Sequence, residues 1–358
     1  MHVKENLLGY SLESLQQFFE RIEEPKYRAK QLFKWVHQKG VLNFDLMTDL
    51  NSKLRDKLKE IATIKPPRIH KELISDEGTT KYLIEISSGS MIEMVIIPEK
   101  NRRTLCVSSQ AGCALQCTFC ATGAQGFEKN LSSHEIIGQL WLSNFYKKNS
   151  LPITNVVFMG MGEPLLNYEE VVESAKIMKD QLAYGLSRKR ITISTSGIVP
   201  NLKKISKDID VSLAISLHAA DDNLRNEIVP INNKYPLNML LDACKQYLKI
   251  NTKRTITMEY ILIDGVNDSI EHAKKLTKLL SNLSCKINLI PFNKFQGSSY
   301  RRPSEEKMDN FKKYLIKKGF ITTLRITRGD QVDGACGQLA GNLSNPIKGK
   351  KLISHRII

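Results

Sequence analysis

The chain of 358 residues lacks any hydrophobic run long enough to cross a membrane. Its longest apolar runs, such as VSLAISL and YILI, fall well short of the roughly 18 residues that a spanning helix needs. Its first ten residues, MHVKENLLGY, lack the apolar core of a secretion signal. The chain also has no low-complexity segment and no short solenoid repeat. These absences predict a folded cytoplasmic protein without a membrane partner.

Acidic residues are scarce. There are 37 Asp and Glu against 53 Lys and Arg, which gives a formal net charge of +16. Residues 301–358 alone hold 13 Lys and Arg and only 5 Asp and Glu. Such a surplus indicates either a solvated basic surface or a binding surface for a polyanion, most often a nucleic acid. No recognisable nucleic-acid-binding motif decides between the two.

The seven cysteines lack the paired spacing of a disulfide framework or of a four-ligand zinc site. Three of them, Cys113, Cys117 and Cys120, lie in AGCALQCTFCAT with the spacing C-x3-C-x2-C. No nearby histidine completes the set, because His134 lies beyond the loop. Three thiolates suit a [4Fe–4S] cluster that keeps one iron open for a substrate or cofactor. A zinc site with a distant ligand and three ordinary core cysteines are the alternatives.

Hydrophobic periodicity divides the chain into four predicted parts: a helical accessory domain (1–65), a β meander (66–103), an α/β domain (104–342) and a basic tail (343–358). Six short strands alternate with helical segments in the third part, namely TLCVSS, NVVFMG, RITIST, VSLAIS, TITMEYIL and KINLIP. A further strand, TTLRIT, follows them. This rhythm predicts an α/β fold with a parallel sheet closed into a barrel or partial barrel of the TIM type.

Side chains capable of chemistry follow the ends of these strands, where α/β barrels build their active sites. They are Cys113, Gly162, Glu163, Ser194, Ser216, His218 and Asn293. Each has an ordinary structural explanation when taken alone, such as a turn glycine, a capping serine or a hydrogen-bonded core histidine. Their common position predicts one site at the carboxyl edge of the sheet.

The three-cysteine motif is similar to the signature of the radical S-adenosylmethionine enzymes, and GMGEP at 160–164 resembles the glycine-rich strand end of that superfamily. A longer series resembles one family, the dual-specificity ribosomal RNA adenine carbon-2 methyltransferases, from about residue 90 to 342. The series is LCVSSQAGCALQCTFCATG, VVFMGMGEPLLN, ITISTSGIVP, LAISLHA, EIVPIN, INLIPFN and DGACGQLAG. The resemblance implies a partial (β/α)6 radical S-adenosylmethionine barrel. It also implies one [4Fe–4S] cluster, held by the three clustered cysteines.

The resemblance implies a role for each further site residue. S-adenosylmethionine, of which two molecules are consumed per methylation, is implied to contact Gly162, Glu163, Ser194, Ser216, Leu217, His218 and Asn293. Cys336, in GACGQ, is implied to accept a methyl group, become a thiomethylene radical and add to adenine. Cys106 is implied to release the product by a transient disulfide with Cys336. Glu93, which interrupts the apolar strand MIEMVII, matches the proton acceptor of the family.

Lone cysteines are more often core residues, and a strand glutamate more often faces solvent, so these ordinary explanations stay open. The resemblance implies 23S ribosomal RNA and transfer RNA as substrates, an external one-electron donor, a disulfide reductant and a monomeric chain. Carbon-8 adenine methyltransferases of the same superfamily are the main alternative, although they have Ala in place of Pro164 and Cys in place of Ala111. A zinc-stabilised RNA-binding protein and an iron–sulfur redox carrier are the others.

Overall fold

The computed structural model of the chain describes residues 4–147, 151–250, 254–326 and 328–340. The predicted basic tail, 343–358, lies outside the described residues. None of the helices within these ranges is long and apolar enough to span a membrane.

The N-terminal part is helical, as its apolar spacing predicts. Its helices are α1 (Leu12–Arg21), α2 (Tyr27–His37) and α3 (Ser52–Ile61). The side chains of Ser11 and Asn51 cap α1 and α3, because each accepts a hydrogen bond from a backbone N–H of the first turn. Two short strands, β1 (Glu5–Asn6) and β2 (Ala62–Thr63), pair in parallel and join the two ends of this part. Periodicity did not reveal strands of only two residues.

A single ten-stranded sheet organises the rest of the described structure, in the order β14-β13-β12-β11-β10-β9-β6-β5-β4-β3. Its strands are β3 (Arg68–Ile74), β4 (Thr80–Glu85), β5 (Met91–Glu99), β6 (Arg102–Cys106), β9 (Asn155–Phe158), β10 (Ile191–Thr195), β11 (Ser212–Ser216), β12 (Ile256–Leu262), β13 (Cys285–Pro291) and β14 (Thr322–Leu324). The strands from β3 to β6 pair antiparallel, as the meander predicts. Every pair from β6 to β14 is parallel.

Helices cover the outer face of the parallel strands. They are α5 (Ser133–Phe145), α6 (Tyr168–Lys179), α7 (Val199–Asp208), α8 (Asp222–Ile228), α9 (Leu237–Ile250), α10 (Ile270–Leu280) and α11 (Glu305–Lys317). A small insertion follows β6 and consists of β7 (Gln110–Gly112), α4 (Ala121–Gln125) and β8 (Phe127–Asn130). The parallel sheet is open at β14 and continues at β6 into the meander, so the predicted partial barrel is confirmed.

One continuous buried apolar cluster connects the N-terminal helices with the barrel. The indole N–H of Trp141, on α5, donates to the carbonyl of Val36, on α2, at 3.1 Å. Gly138 lets α5 approach Pro67, since a Cβ added there would lie 2.3 Å from the proline ring. The N-terminal part therefore packs directly on the barrel, whereas the domain boundaries stay predictions.

The two faces of the parallel strands differ in polarity. Along β13, Ile287 and Leu289 are fully buried under the helices, whereas Lys286 and Asn288 line a cavity inside the barrel. Successive strand residues point to opposite faces, so one alternating strand supplies both an apolar and a polar surface. The interior of the barrel is therefore partly open, and the site is built around that opening.

Candidate active site

The three clustered cysteines lie on one tight loop between β7 and α4. The N–H of Cys113 donates to the carbonyl of Gly126 at 2.8 Å, and the N–H of Cys120 donates to the carbonyl of Cys117 at 3.1 Å. Gly112 has a φ of +72°, and a Cβ on it would lie 1.9 Å from the carbonyl oxygen of Gly126. Glycine is therefore required where the loop begins.

Burial raises the pKa of the Cys113 thiol to about 12 and raises the pKa values of Cys117 and Cys120 above their usual range. Electrostatic repulsion between sulfurs adds to the rise in pKa. At Cys113 and Cys117 it comes from other cysteines of the same loop, and at Cys120 it comes from Cys336. Bound iron would reverse this preference, because metal coordination deprotonates thiols.

The three thiols fit a cluster better than a single ion. Among the described residues, no three His, Cys, Asp or Glu side chains are placed to hold one metal ion together. A [4Fe–4S] cluster makes a different demand, since each thiolate binds its own iron. Three thiols on one loop, beside a cavity, meet that demand.

A cavity of about 140 Å³ opens beside the cysteine loop at the carboxyl ends of the strands. We call it the upper cavity. Its lining includes seven residues that the sequence or the resemblance singled out: Cys120, Gly162, Glu163, Ser194, Ser216, His218 and Cys336. The hydroxyl oxygens of Ser194 and Ser216 lie 3.5 Å apart on neighbouring strands. The structure thus brings most of the predicted site to one place.

Glu163 is buried at the wall of the upper cavity. Its carboxylate accepts hydrogen bonds from the N–H groups of Ser196, at 2.8 Å, and Leu165, at 3.0 Å. Burial nevertheless raises the pKa of Glu163 to about 6, and these hydrogen bonds only partly oppose the rise. The preceding residue, Gly162, has a φ of +97°, and a Cβ there would lie 2.5 Å from the side chain of Gln110. The glycine lets the strand end pass close to β7.

His218 is held as a neutral ring. Its Nδ1 accepts a hydrogen bond from the N–H of Ile261 at 3.0 Å, and its ring packs edge-on against Phe119 at 4.6 Å. Burial lowers the pKa of His218 to about 3, and nearby Arg225 adds to the effect. A neutral ring with Nδ1 as acceptor carries its proton on Nε2, so His218 can donate one hydrogen bond from that atom.

Arg225, which the sequence did not predict, joins the ends of two neighbouring strands. Its fully buried guanidinium donates to the carbonyls of Ser196, Ser216 and Leu217 at 2.8–3.1 Å and to the side chain of Asn232 at 2.7 Å. Burial lowers the pKa of Arg225 to about 10, which leaves it a cation at neutral pH. One side chain therefore ties the loops after β10 and β11 together.

Cys336 lies on a loop that is anchored on both sides. The carbonyl of the next residue, Gly337, accepts from the N–H of Ala121 at 2.7 Å, which joins this loop to the cysteine loop. Asn293 donates to the carbonyl of Cys336 at 3.2 Å. Arg325 donates through Nη1 to the Cys336 sulfur at 2.9 Å. The Cys336 thiol forms no disulfide with the other described cysteines and is partly buried.

Cys106 and Glu93 lie next to this loop but line neither cavity. Cys106 ends β6, and burial, together with the nearby Cys336 thiol, raises its pKa to about 12. It pairs with Val95, two residues from Glu93 on β5, so Cys106 and Glu93 share one face of the sheet. Glu93 is buried rather than facing solvent. It forms an ion pair with Lys81 at 3.2 Å and accepts a hydrogen bond from the N–H of Ala340 at 3.0 Å.

A second cavity, of about 570 Å³, lies below the first and opens towards the starts of the strands. We call it the lower cavity. Hydroxyl, amide and charged side chains contribute much of its lining, including Asn155, Thr192, Ser212, Thr257, Lys286, Asn288, Thr323 and Arg325. Four residues line both cavities: Met159, Glu259, Ile290 and Cys336. Cys336 therefore lies on the wall that the two cavities share.

Two family models match the chain. The model of the ribosomal RNA large subunit methyltransferase N-terminal domain matches residues 5–64, and that of the radical SAM superfamily matches residues 107–277. The dual-specificity RNA methyltransferase RlmN of Pseudomonas fluorescens is 50% identical over 348 residues, covering 95% of this chain and 91% of that protein. The protein of the same name from Pseudomonas putida (strain W619) is 51% identical, covering 96% and 91%.

The chain belongs to the RlmN family. Among solved structures, a radical SAM methyltransferase from Sphaerobacter thermophilus is similar, with a TM-score of 0.89 and 38% identity, covering 94% of this chain and all of that one. The carbon-2 family named from the sequence motifs is thereby confirmed.

As a radical SAM member of the RlmN family, the chain is an enzyme that uses a [4Fe–4S] cluster and S-adenosylmethionine. The cysteine loop has the thiols to hold the cluster. The upper cavity beside it has the small side chains and hydrogen-bonding groups to hold the ligand.

Two of the residues predicted to contact S-adenosylmethionine stand apart from the upper cavity. Leu217 is fully buried, and only its backbone faces hydrogen-bond partners, Arg225 and Glu259. Asn293 lines the lower cavity instead and holds the Cys336 loop. Glu259, Arg325 and Arg225 were missed. Glu259 had a visible signal, because it interrupts the apolar strand TITMEYIL just as Glu93 interrupts MIEMVII.

Proposed function

We propose that this RlmN-family enzyme methylates carbon 2 of adenine in 23S ribosomal RNA and in transfer RNA. The relatives are named dual-specificity RNA methyltransferases, and the net charge of +16 suits a polyanionic substrate. The observation that carries the proposal is the position of Cys336 between two cavities. A thiol there can receive a methyl group from one side and deliver it to the other.

Carbon 2 of adenine is a poor nucleophile with a strong C–H bond, so direct attack on a methyl donor is unfavourable. Covalent catalysis divides the reaction into easier steps. A [4Fe–4S] cluster held by Cys113, Cys117 and Cys120 would supply the electron that cleaves S-adenosylmethionine. In the upper cavity, Gly162, Glu163, Ser194, Ser216 and His218 bind and orient that substrate, while the backbone of Leu217 and the side chain of Asn293 support the surrounding loops.

Cys336 accepts a methyl group as a nucleophile and then carries the one-carbon unit to adenine in the lower cavity. Cys106 resolves the covalent enzyme–RNA adduct by forming a transient disulfide with Cys336. The position of the Cys106 thiol close to the Cys336 thiol supports this role. Glu93 accepts the proton that leaves the new methyl-bearing carbon, on the same face of the sheet as Cys106.

The remaining features of the proposal concern partners and organisation. The enzyme acts in the cytoplasm as a monomer, receives single electrons from an external donor and is reset by a disulfide reductant. Residues 1–65 form an accessory domain, 66–103 extend the sheet and 104–342 form the catalytic barrel. The basic tail at 343–358 contributes to RNA binding.

The test is an analysis of nucleosides from 23S ribosomal and transfer RNA of cells that depend on this gene alone for adenine methylation. Mass spectrometry should detect 2-methyladenosine with the parent enzyme. It should detect none with Cys336→Ala. The outcome that contradicts the proposal is 8-methyladenosine, or unmodified adenosine with a parent enzyme that contains its cluster.

A second variant, Cys106→Ala, tests the role of Cys106 in releasing the covalent adduct. Adduct formation needs Cys336 but not Cys106, so this variant should accumulate a covalent protein–RNA species that survives denaturing electrophoresis. Cys285→Ala is the matched control, because Cys285 lies at the start of β13, outside both cavity linings. Full turnover by Cys106→Ala would show that Cys106 is a structural residue.

A further inference from the structure

The guanidinium of Arg325 is the closest cationic group to the Cys336 sulfur that the described structure shows. Nη1 of Arg325 donates to Sγ at 2.9 Å, and both residues line the lower cavity. The backbone of Arg325 is fixed as well, because its N–H donates to the carbonyl of Leu289, on β13, at 2.8 Å. A cation anchored to the sheet therefore holds the sulfur of a residue on a loop.

Four ionisable groups surround the Cys336 thiol, each from a different part of the fold. They are Cys106 on β6, Cys120 on the cysteine loop, Glu259 on β12 and Arg325 after β14. Only Arg325 is positively charged. The negative charge that forms on Cys336 is the main influence on Arg325 and raises its pKa, and Glu259 contributes in the same direction. Of these four groups, Arg325 is the one that can stabilise negative charge on the sulfur.

We propose that Arg325 is a further catalytic residue: its guanidinium donates to the Cys336 sulfur and positions it, at the wall between the two cavities, until the methyl group has been transferred. This inference rests on the proposed function, since it concerns the residue that accepts the methyl group. The guanidinium is suited to the task because it stays charged and its hydrogen bonds have a fixed direction.

The transfer step is balanced in atoms and charge. The Cys336 thiol first loses its proton to solvent, and Arg325 keeps its own protons. The thiolate then attacks the methyl carbon of S-adenosylmethionine, so that a new S–C bond forms while the sulfonium C–S bond breaks. Thiolate and sulfonium become two neutral thioethers, one on Cys336 and one on the departing S-adenosylhomocysteine. No oxidant or reductant is needed.

The same contact explains why the sulfur is released after the transfer. A thioether is a weak hydrogen-bond acceptor, so methylated Cys336 loses its attraction for Arg325. Glu259, a buried carboxyl on the shared wall that accepts a hydrogen bond from Asn288 at 2.7 Å, also lies near Arg325. The guanidinium then pairs with Glu259, and the methyl-bearing sulfur is free to turn to the RNA.

The first test measures the reactivity of Cys336 without any turnover. Protein from iron-limited cells, in which mass spectrometry verifies that Cys336 is unmethylated, is treated with iodoacetamide, and alkylation is followed peptide by peptide. Arg325→Met should slow alkylation of Cys336 roughly tenfold or more, because the sulfur loses both the hydrogen bond that positions it and the positive charge beside it. Cys285, in the same sample, should react at the parent rate.

Three further variants test whether loss of the Arg325 guanidinium causes the slower alkylation of Cys336. Arg328→Met removes a second arginine from the lower cavity, one that donates to the carbonyl of Pro98 at 2.6 Å, and should leave Cys336 at the parent rate. Arg325→Lys keeps the charge but not the planar fork and should restore part of the rate. Arg325→Gln supplies a second uncharged variant if Arg325→Met does not fold.

The second test follows the transfer step itself. After cluster reconstitution, a single turnover with methyl-labelled S-adenosylmethionine should label Cys336 at least tenfold more slowly in Arg325→Met, while the affinity for the methyl donor stays unchanged. The proposal is overturned if folded Arg325→Met or Arg325→Gln alkylates Cys336 at the parent rate, or if Arg328→Met is equally slow. Alkylation needs neither cluster nor RNA. A result against the role of Arg325 can therefore be told apart from a result against the proposed methylation of carbon 2.

Discussion

The upper and lower cavities share a wall but are built from different kinds of groups. The upper cavity is small, and buried hydrogen bonds fix its walls: Arg225 ties two strand ends together, and Glu163 accepts from two backbone N–H groups. The lower cavity is about four times larger by volume and is lined by hydroxyl, amide and charged side chains at the strand starts. One chamber is preorganised for a small molecule, and the other has room and charge for part of a polyanion.

This difference between the cavities explains why the position of Cys336 on their shared wall matters. Because the two cavities share a wall, a residue on that wall can face either ligand without a large movement of its loop. Here Cys336 lies where the chambers meet, with its carbonyl held by Asn293 and its sulfur held by Arg325. A rotation of one side chain then suffices to change partner, which agrees with a loop anchored on both sides.

The largest effect should come from removing the cluster, because its loss should abolish ligand binding in the upper cavity and leave RNA binding at the lower cavity intact. Cys117→Ser should abolish iron incorporation, binding of S-adenosylmethionine and turnover, because serine is a poor ligand for iron in such clusters. RNA binding should persist, since the lower cavity does not include the cysteine loop. Iron analysis, equilibrium dialysis and an RNA filter-binding assay measure the three properties.

Cys285→Ser is the matched control for this variant and should keep its iron. Loss of RNA affinity in Cys117→Ser, with an unchanged thermal unfolding midpoint, would contradict the independence of the two chambers.

The sequence predicted the upper cavity better than the lower one, for a physical reason. Residues at strand ends appear as breaks in an apolar pattern, so Ser194, Ser216 and His218 could be read directly. Cys336 and Cys106 needed a family resemblance, because a lone cysteine has no spacing to interpret. The shape of the fold followed from the alternation of strands and helices, including the additional strand β14.

The lower cavity was not predicted, although its pattern was present. Lys286 and Asn288 alternate with the apolar residues Ile287 and Leu289 along β13, as they would in a strand with one solvent-exposed face. Periodicity reports that a face is polar but not whether it points outward or into a barrel. The two partners of Glu93, which are Lys81 and Ala340, could not be predicted from the sequence either, because these contacts join distant parts of the chain.

A second, smaller effect is expected in the pH dependence of stability, and it arises from Glu163, the buried carboxyl group of the upper cavity. The pKa of Glu163 is raised from 4.5 to about 6, so its contribution to stability is fully present below pH 4.5 and is lost as the pH rises through 6. The shift corresponds to about 2 kcal/mol of unfolding free energy. Glu163→Gln should lack this pH dependence. Urea denaturation of cluster-free protein between pH 4 and 7 measures the difference between parent and variant, and parallel pH profiles would contradict the assignment.

The smallest effect should come from the lower cavity, where each charge acts through solvent. Lys189 and Lys286 line this cavity and are exposed, so each can meet a phosphate of the RNA backbone. Replacing both with Gln should weaken RNA binding several-fold at low salt and reduce the salt slope of the affinity by about two. Binding of S-adenosylmethionine should not change. Lys278→Gln, at an exposed lysine on α10 outside both cavity linings, is the control. If the control and the double variant bind RNA equally well at every salt concentration, the RNA enters by another face.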